Sequence, residues 1–96
     1  MIKNLNLLQS LSTEIMNLYI INEVLYDYTD GMCVIAAESM PQCEQIFMEE
    51  FGYEDDTDWA KESNERKQKE FNTAPIKVIE GVNHPAGVVS YVYGGG

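Results

Sequence analysis

The sequence predicts an α+β fold: a small antiparallel sheet with one to two covering helices. Two runs rich in β-branched and aromatic residues lie near the start, two more lie near the end, and a capped amphipathic segment lies between them. The predicted order is (α)ββα(α)ββ, in two layers. Because 96 residues accommodate one hydrophobic core, we expect a single α+β domain over residues 16–96.

Residues 1–15 are predicted to form an N-terminal extension or a short helix. Leu5, Leu8, Leu11 and Ile15 recur near helical spacing, which favours an amphipathic helix. The alternative is that the fold starts at Met16 and that the preceding residues form a loosely held extension.

The segment that follows predicts a β-hairpin. Residues 18–26 are rich in β-branched and aromatic side chains, and "MCVIAA" is apolar enough for a central returning strand. Asp30-Gly31 between them predicts a type I′ turn, because glycine accepts the positive φ that such a turn requires.

"ESMPQCEQIFMEEFG" predicts a helix that lies across the hairpin. Ser39 is a natural N-cap, Gln42 completes a capping box, and Gly52 supplies the C-terminal stop. Pro41 is tolerated because first-turn amides lack partners within the helix. The predicted buried face comprises Met40, Cys43, Ile46, Phe47 and Phe51.

A second, peripheral helix is predicted from "DWAKESNERKQKEF". Glu62/Arg66 and Glu65/Lys69 have the favourable i,i+4 order, but apolar side chains are few. "APIKVIEG" and "VVSYVY" predict two strands joined by the turn "VNHPAG". The terminal "GGG" has no side chains to pack, so we expect it to be frayed.

The composition limits the classes of function. Sixteen acidic against six basic residues give a net charge of −10, which disfavours direct binding of nucleic acid and favours basic protein partners. Two cysteines without a CxxC pair predict neither a disulfide framework nor a zinc site, and indicate a reduced, intracellular compartment. No stretch is apolar and long enough to span a membrane, so we expect no membrane association and a cytoplasmic location.

The segment "EEFGYEDDTDWA" is the strongest candidate for a functional site. Six carboxylates fall between Glu49 and Asp58, ahead of the only tryptophan, Trp59. The spacing fails the EF-hand pattern: in a loop starting at Glu54 the central glycine position falls on Trp59, and in one starting at Asp56 the third ligand falls on Ala60. Crowded, solvated carboxylates also argue against a tuned catalytic pair. We therefore predict no metal, cofactor or catalytic residue here.

Two interpretations of this segment remain open. It is either a solvated connection or a contact surface for a basic partner, in which Trp59 and Tyr53 supply apolar anchors. Trp59 could instead pin the segment onto the neighbouring helix. The predicted partner-binding residues are Glu49, Glu50, Tyr53, Glu54, Asp55, Asp56, Asp58 and Trp59.

No other residues form a recognisable catalytic arrangement. His84 is predicted to be an exposed turn residue without triad partners, and Cys43 has no basic neighbour to activate its thiol. Tyrosines on or beside the strands are explained by cross-strand packing. The sequence therefore predicts that the protein is not an enzyme.

The run "NLYIINEVLYDYTDGMCVIAAESMPQCEQIF", with "VIEGVNHPAGVVSYVYGGG", resembles a group of small phage and prophage accessory proteins. In that group an N-terminal hairpin leads from a strand into a helix, here at 34–39, and a terminal strand, here at 85–90, closes the sheet. This chain departs from the pattern by placing Ala86 between Pro85 and Gly87. The resemblance implies a phage-encoded, non-enzymatic interaction protein of the anti-defence, anti-CRISPR-like type.

Three functional hypotheses follow. The first is an inhibitor in the host cytoplasm that occupies the basic, nucleic-acid-binding surface of a host protein or ribonucleoprotein. The second is an oligomeric sponge that sequesters a signalling nucleotide, against which the negative charge counts. The third is a structural virion or packaging component, and the strand "VVSYVY" could pair with another copy to form a homodimer.

Overall fold

A computed structural model describes residues 15–27 and 29–95 and confirms the predicted α+β class. A four-stranded antiparallel sheet of order β3-β1-β2-β4 carries two helices among these residues. The elements are β1 (Ile15–Asp27), β2 (Thr29–Ala37), α1 (Met40–Phe51), α2 (Asp58–Thr73), β3 (Ile76–Asn83) and β4 (Gly87–Val92). The prediction for residues 1–15 lies outside the described residues except at Ile15, where β1 begins.

The predicted hairpin of β1 and β2 forms, but the predicted turn at Asp30-Gly31 is wrong. Both residues lie within β2, and Gly31 pairs with Val24, whereas Asp27 faces Thr29 across the reversal. The register shifts between Asn22 and Asp27 lengthen β1 relative to its partner. Backbone contacts from outside the hairpin stabilise this irregular end, which a local turn signal does not report.

Those contacts come from α2 and from the carboxyl-terminal residues. Glu70 Oε1 accepts a hydrogen bond from the Leu25 backbone N–H (2.9 Å), and the Gly94 N–H donates to the Leu25 carbonyl (3.0 Å). Glu23 and Leu25 adopt φ of 62° and 53°, in the left-handed region that side chains other than Asn, Asp and Gly seldom enter. Tertiary hydrogen bonds therefore hold a bulged backbone that the residues alone do not favour.

Helix α1 begins as its sequence predicts. Ser39 Oγ accepts from the Gln42 N–H (3.3 Å), and the Gln42 side chain accepts from the Glu38 N–H (2.6 Å), one residue before the usual capping-box donor. Of the predicted buried face, Cys43, Phe47 and Phe51 are buried in the structure. Ile46 is partly buried against the core, and Met40, in the first turn of the helix, is exposed.

Helix α2 is better anchored than its polar sequence indicates. Thr57 caps its N-terminus by accepting from the Ala60 N–H (3.2 Å), and Ala60, Ser63 and Phe71 are buried. Gln68 Nε2 donates to the Glu44 carboxylate of α1 (2.6 Å). Arg66, predicted to pair with Glu62, donates to the Ser63 hydroxyl (3.2 Å).

The core lies between the helices and one face of the sheet. The Phe47 ring contacts the Phe51 and Phe71 rings at centroid distances of 5.3 and 5.2 Å, which joins α1 to α2. Cys33 and Cys43 are fully buried in this cluster, and burial raises the pKa of each thiol to about 12. Both cysteines are therefore small buried apolar residues, as predicted.

The expectation of frayed terminal glycines is wrong for Gly94 and Gly95. Gly94 is buried, and the Gly95 N–H donates to the Thr29 hydroxyl (3.1 Å). A Cβ on Gly94 would collide with the Thr29 carbonyl, and one on Gly31 would collide with the Val92 carbonyl. The absence of side chains lets the chain end pass directly against the hairpin, so glycine serves close backbone approach here.

The second face of the sheet carries neither of the described helices. Directly paired residues of antiparallel strands share a face, so the pairs Ile20–Val34 and Met32–Val92 lie opposite the core pairs Ile21–Cys33 and Cys33–Tyr91. Among the residues described, the fold therefore has a single helical layer, on one face of the sheet.

Candidate functional site

The acidic segment connects the end of α1 to the start of α2. The Gly52 N–H donates to the Met48 carbonyl (2.9 Å), and Gly52 leaves the helix with an extended backbone rather than a left-handed one. Thr57 begins the next helix. All eight predicted partner-binding residues are exposed: Glu49, Glu50, Tyr53, Glu54, Asp55, Asp56, Asp58 and Trp59.

Asn64 of α2 fixes the start of this segment. Its Oδ1 accepts from the Tyr53 N–H (2.8 Å), and its Nδ2 donates to the Tyr53 carbonyl (2.9 Å). A primary amide satisfies both backbone groups of one residue at once, as a β-strand partner would. The clamp attaches the connection to the helix and determines where the Tyr53 side chain lies.

Tyr53 and Trp59 form an exposed aromatic pair. Their ring centroids lie 4.7 Å apart, tilted by 54°. Tyr53 keeps 44% of its surface exposed and Trp59 keeps 58%. Trp59 thus packs on Tyr53, within the predicted site, while most of its indole remains in water. An exposed pair of large rings next to charge is the composition that concentrates binding energy in protein interfaces.

A cation already lies near this pair. Lys67 Nζ lies 5.9 Å from the centroid of the Tyr53 ring, at the outer limit of a cation–π contact. Lys67 follows Asn64 by one helical turn, so α2 presents both to the same residue. The electron-rich face of Tyr53 is therefore accessible to a positive group.

The six carboxylates are spread along the surface rather than gathered around a point. Asp58 lies in the first turn of α2, where the helix dipole favours a negative charge. Gln45 Nε2 donates to the Glu49 carboxylate (3.1 Å). Within the described chain, no group of three or more His, Cys, Asp or Glu side chains could hold a metal ion. The carboxylates therefore give the surface of the segment a negative potential that extends along it, rather than a single point at which a metal ion would bind.

A shallow groove adjoins the aromatic pair. It has a volume of about 330 Å³ and lies between the last turns of α1 and the middle of α2. Its lining is mixed, with apolar surface and two carboxylates: Gln45, Met48, Glu49, Gly52, Tyr53, Glu54 and Asn64. The site is therefore concave beside Tyr53, and Trp59 is not part of the groove lining.

Sequence reasoning missed the aromatic residues that β4 brings to this end of the molecule. Tyr91 and Tyr93 form edge contacts with Phe51 at centroid distances of 5.3 and 6.2 Å, and both remain about half exposed. Burial, with Tyr53, Tyr91 and Glu70 nearby, raises the pKa of the Tyr93 hydroxyl. Tyr91 lies on β4 and Tyr93 directly follows its last residue, and their spacing of two residues was the available signal.

The other candidate residues lie away from this surface. His84 Nδ1 donates to the Pro85 carbonyl (2.7 Å) in the β3–β4 turn. The Cys43 thiol is fully buried with a raised pKa, so it stays protonated at neutral pH. In the described part of the chain, no helix is long and apolar enough to cross a membrane.

Comparison of the chain with known protein families, curated proteins and solved structures finds no match.

Proposed function

We propose that this chain is a non-enzymatic interaction protein that binds a basic, nucleic-acid-binding surface of another protein or ribonucleoprotein. The contact is made by the acidic segment 49–59, whose charge takes the place of the phosphate backbone in the partner's cleft. The observation that carries the proposal is the exposed Tyr53–Trp59 pair (4.7 Å) within a run of six exposed carboxylates.

Charge supplies attraction over a distance, and the aromatic pair supplies contact energy. A net charge of −10 increases the rate of encounter with a basic surface at low salt. Surface charges alone contribute little affinity in water, because each pair is solvated and screened. Burial of Trp59 and Tyr53, which are about half exposed in the free protein, would add the apolar area that surface charges lack.

The Asn64 clamp supports a binding role over a merely solvated connection. A segment held through both backbone groups of Tyr53 loses less conformational entropy on binding than a free loop. The resemblance to small phage accessory proteins supports the biological setting. In that setting the partner is a host defence complex, and its inhibition follows from loss of nucleic-acid binding.

The experiment uses Trp59 as the reporter, since it is the only tryptophan in the chain. Proteins that the wild-type protein captures from a host lysate are purified and titrated against it while Trp59 emission is recorded. We expect a shift of Trp59 emission on binding, and release of the partner by the nucleic acid that it normally binds. The substitution Trp59→Ala, followed by anisotropy of a dye-labelled partner, should weaken binding about 30-fold or more.

Charge reversal separates a local contact from net charge. Asp55→Lys, Asp56→Lys and Asp58→Lys together should weaken binding by about 100-fold or more at low salt. The control reverses Asp30, Glu38 and Glu80, which are exposed elsewhere, and makes the same change in net charge. Equal effects of the two triple variants, or binding that nucleic acid does not compete with, would refute the proposal.

A further inference from the structure

The groove between the two helices is built from the end of α1 and the middle of α2. Gln45, Met48 and Glu49 lie on one face of α1, because they recur at the i, i+3 and i+4 spacing. Gly52 continues this face at the helix end, where a Cβ would collide with the Met48 carbonyl and lie 3.0 Å from Asn64 Oδ1. Glycine at this position therefore lets Asn64 of α2 approach the end of α1 closely.

The lining of this groove is held in place by hydrogen bonds and is open to solvent. Gln45 Nε2 donates to the Glu49 carboxylate (3.1 Å), and Asn64 bonds both backbone groups of Tyr53 (2.8 and 2.9 Å). Four of the lining side chains are exposed: Gln45, Glu49, Tyr53 and Glu54. A ligand can therefore reach the groove, and a lining that is already ordered loses little conformational entropy when a ligand binds.

The groove offers the groups that bind a long cationic side chain. Glu49 and Glu54 are its two charged residues, and none of the described residues that line it is basic. Met48 provides apolar surface, on which the aliphatic stem of such a side chain would pack. The Tyr53 ring is 44% exposed, and Lys67 Nζ, from outside the lining, already lies 5.9 Å from its centroid. A positive head group would therefore meet two carboxylates and an aromatic ring.

Arginine fits these groups better than lysine does. Its planar guanidinium donates two parallel hydrogen bonds to a carboxylate and stacks on an aromatic ring, and it is more weakly hydrated than an ammonium group. The groove volume of about 330 Å³ lies at the lower end of the range of roughly 300–1,000 Å³ that ligand pockets span. A groove of this size suits one side chain rather than a cofactor-sized molecule.

We propose that this groove binds the guanidinium group of one arginine side chain presented by the partner protein. The arginine comes from the partner's basic, nucleic-acid-binding surface, so this inference rests on the proposed function. Arginine is a common phosphate-binding residue on such surfaces, and it forms the same paired hydrogen bonds with a carboxylate as with a phosphate. Glu49 and Glu54 therefore take the place of phosphate for one residue of the partner, and Tyr53 selects arginine there.

A small probe tests the groove without the partner. N-acetyl-L-arginine amide is titrated into the isotope-labelled full chain, and two-dimensional NMR spectra record the backbone amides and the side-chain amides of Gln45 and Asn64. N-acetyl-L-lysine amide at the same concentrations is the control for general attraction to a chain of net charge −10. We expect roughly millimolar binding of the arginine probe, with the largest shifts at groove residues, and at least about threefold weaker binding of the lysine probe.

Neighbouring carboxylates provide matched variants of equal charge. Glu49→Gln together with Glu54→Gln removes both charges from the groove and keeps the size of the side chains. Glu50→Gln together with Asp55→Asn makes the same change in net charge at adjacent exposed positions that do not line the groove. We expect the first pair to weaken binding of the arginine probe by at least about fivefold, and the second by less than about twofold. Tyr53→Leu should reduce the preference for arginine over lysine, because the stacking contact is lost.

Equal binding of the two probes, equal weakening by the two double variants, or shifts that lie outside the groove would overturn the inference and would indicate attraction to net charge alone. A chain that binds its partner through the acidic segment, but shows no arginine-selective binding in the groove, would refute the groove site and leave the proposed function standing. Arginine-selective binding in the groove, with a partner contact that does not depend on the acidic segment, would support the groove site and refute the proposed function.

Discussion

At the scale of single residues, the least expected finding is the role of the terminal glycines. Gly94 donates to the Leu25 carbonyl and lies against the Thr29 backbone, so the end of the chain supports the end of the hairpin. Gly31 allows the same approach from β2, close to the Val92 carbonyl and the Gly94 N–H. Sequence reasoning assigned Gly31 to a turn, because positive φ is the commonest reason for a glycine beside an aspartate.

Gly94→Ala should destabilise the protein by about 1–3 kcal/mol, because a Cβ at this position collides with backbone that has no room to move. Gly95→Ala is the matched control. A Cβ there would lie 3.8 Å from the Asp27 carbonyl, an ordinary contact, so we expect a change within about 0.5 kcal/mol. Urea unfolding followed by far-UV circular dichroism measures both. Equal stability of the two variants would contradict the close contact.

At the scale of elements, the accuracy of prediction depended on whether an element is specified locally. Helix α1 was predictable because Ser39, Gln42 and the phenylalanine spacing act within the helix itself. The strand segments were predictable from composition. The hairpin reversal was not, since the bonds that stabilise its bulges come from Glu70 and Gly94, distant in sequence. Interaction of remote residues accounts for this error.

The acidic connection between the helices also depends on one remote residue. Asn64→Ala removes both hydrogen bonds to the Tyr53 backbone, and we expect a loss of about 1–2 kcal/mol in the free energy of unfolding. Release of Tyr53 should also expose Trp59 further, since the two rings contact each other. Acrylamide should then quench Trp59 emission more strongly than in the wild type.

Asn72→Ala is the control for this variant, because Asn72 lies on the same helix and is exposed, and its side chain accepts only from Gln68 among the bonds described (3.0 Å). We expect acrylamide to quench Trp59 emission in Asn72→Ala as strongly as in the wild type. If acrylamide quenches Trp59 emission equally in the two variants, Asn64 does not position the aromatic pair. The connection is then no more ordered than a loop without these hydrogen bonds.

At the scale of the whole molecule, the candidate site was predictable in part. A dense run of carboxylates stays in water wherever the chain places it, so the exposure of the six carboxylates between Glu49 and Asp58 followed from charge alone. Its aromatic surroundings did not follow. Tyr91 and Tyr93 reach Phe51 because β4 pairs with β2 at that edge of the sheet, and strand order is a property of the complete fold.

The charge of the whole molecule leads to a final prediction about salt. A compact chain with a net charge of −10 repels itself more than its expanded unfolded state does, and counterions screen that repulsion. Raising NaCl from about 20 to 500 mM should therefore stabilise the free protein by on the order of 1 kcal/mol. Urea unfolding at sub-micromolar concentration measures this without a contribution from association.

The variant with Asp55, Asp56 and Asp58 changed to lysine provides the comparison. Each change adds two positive charges, so the net charge falls from −10 to −4, and self-repulsion, which grows with the square of the charge, falls to a small fraction. Salt should stabilise this variant much less than the wild type. An equal gain in both would show that salt acts through apolar burial, and that the acidic segment does not cost the free protein stability. A smaller gain in the variant would mean that the net negative charge, to which the acidic segment contributes six carboxylates, opposes folding of the free protein.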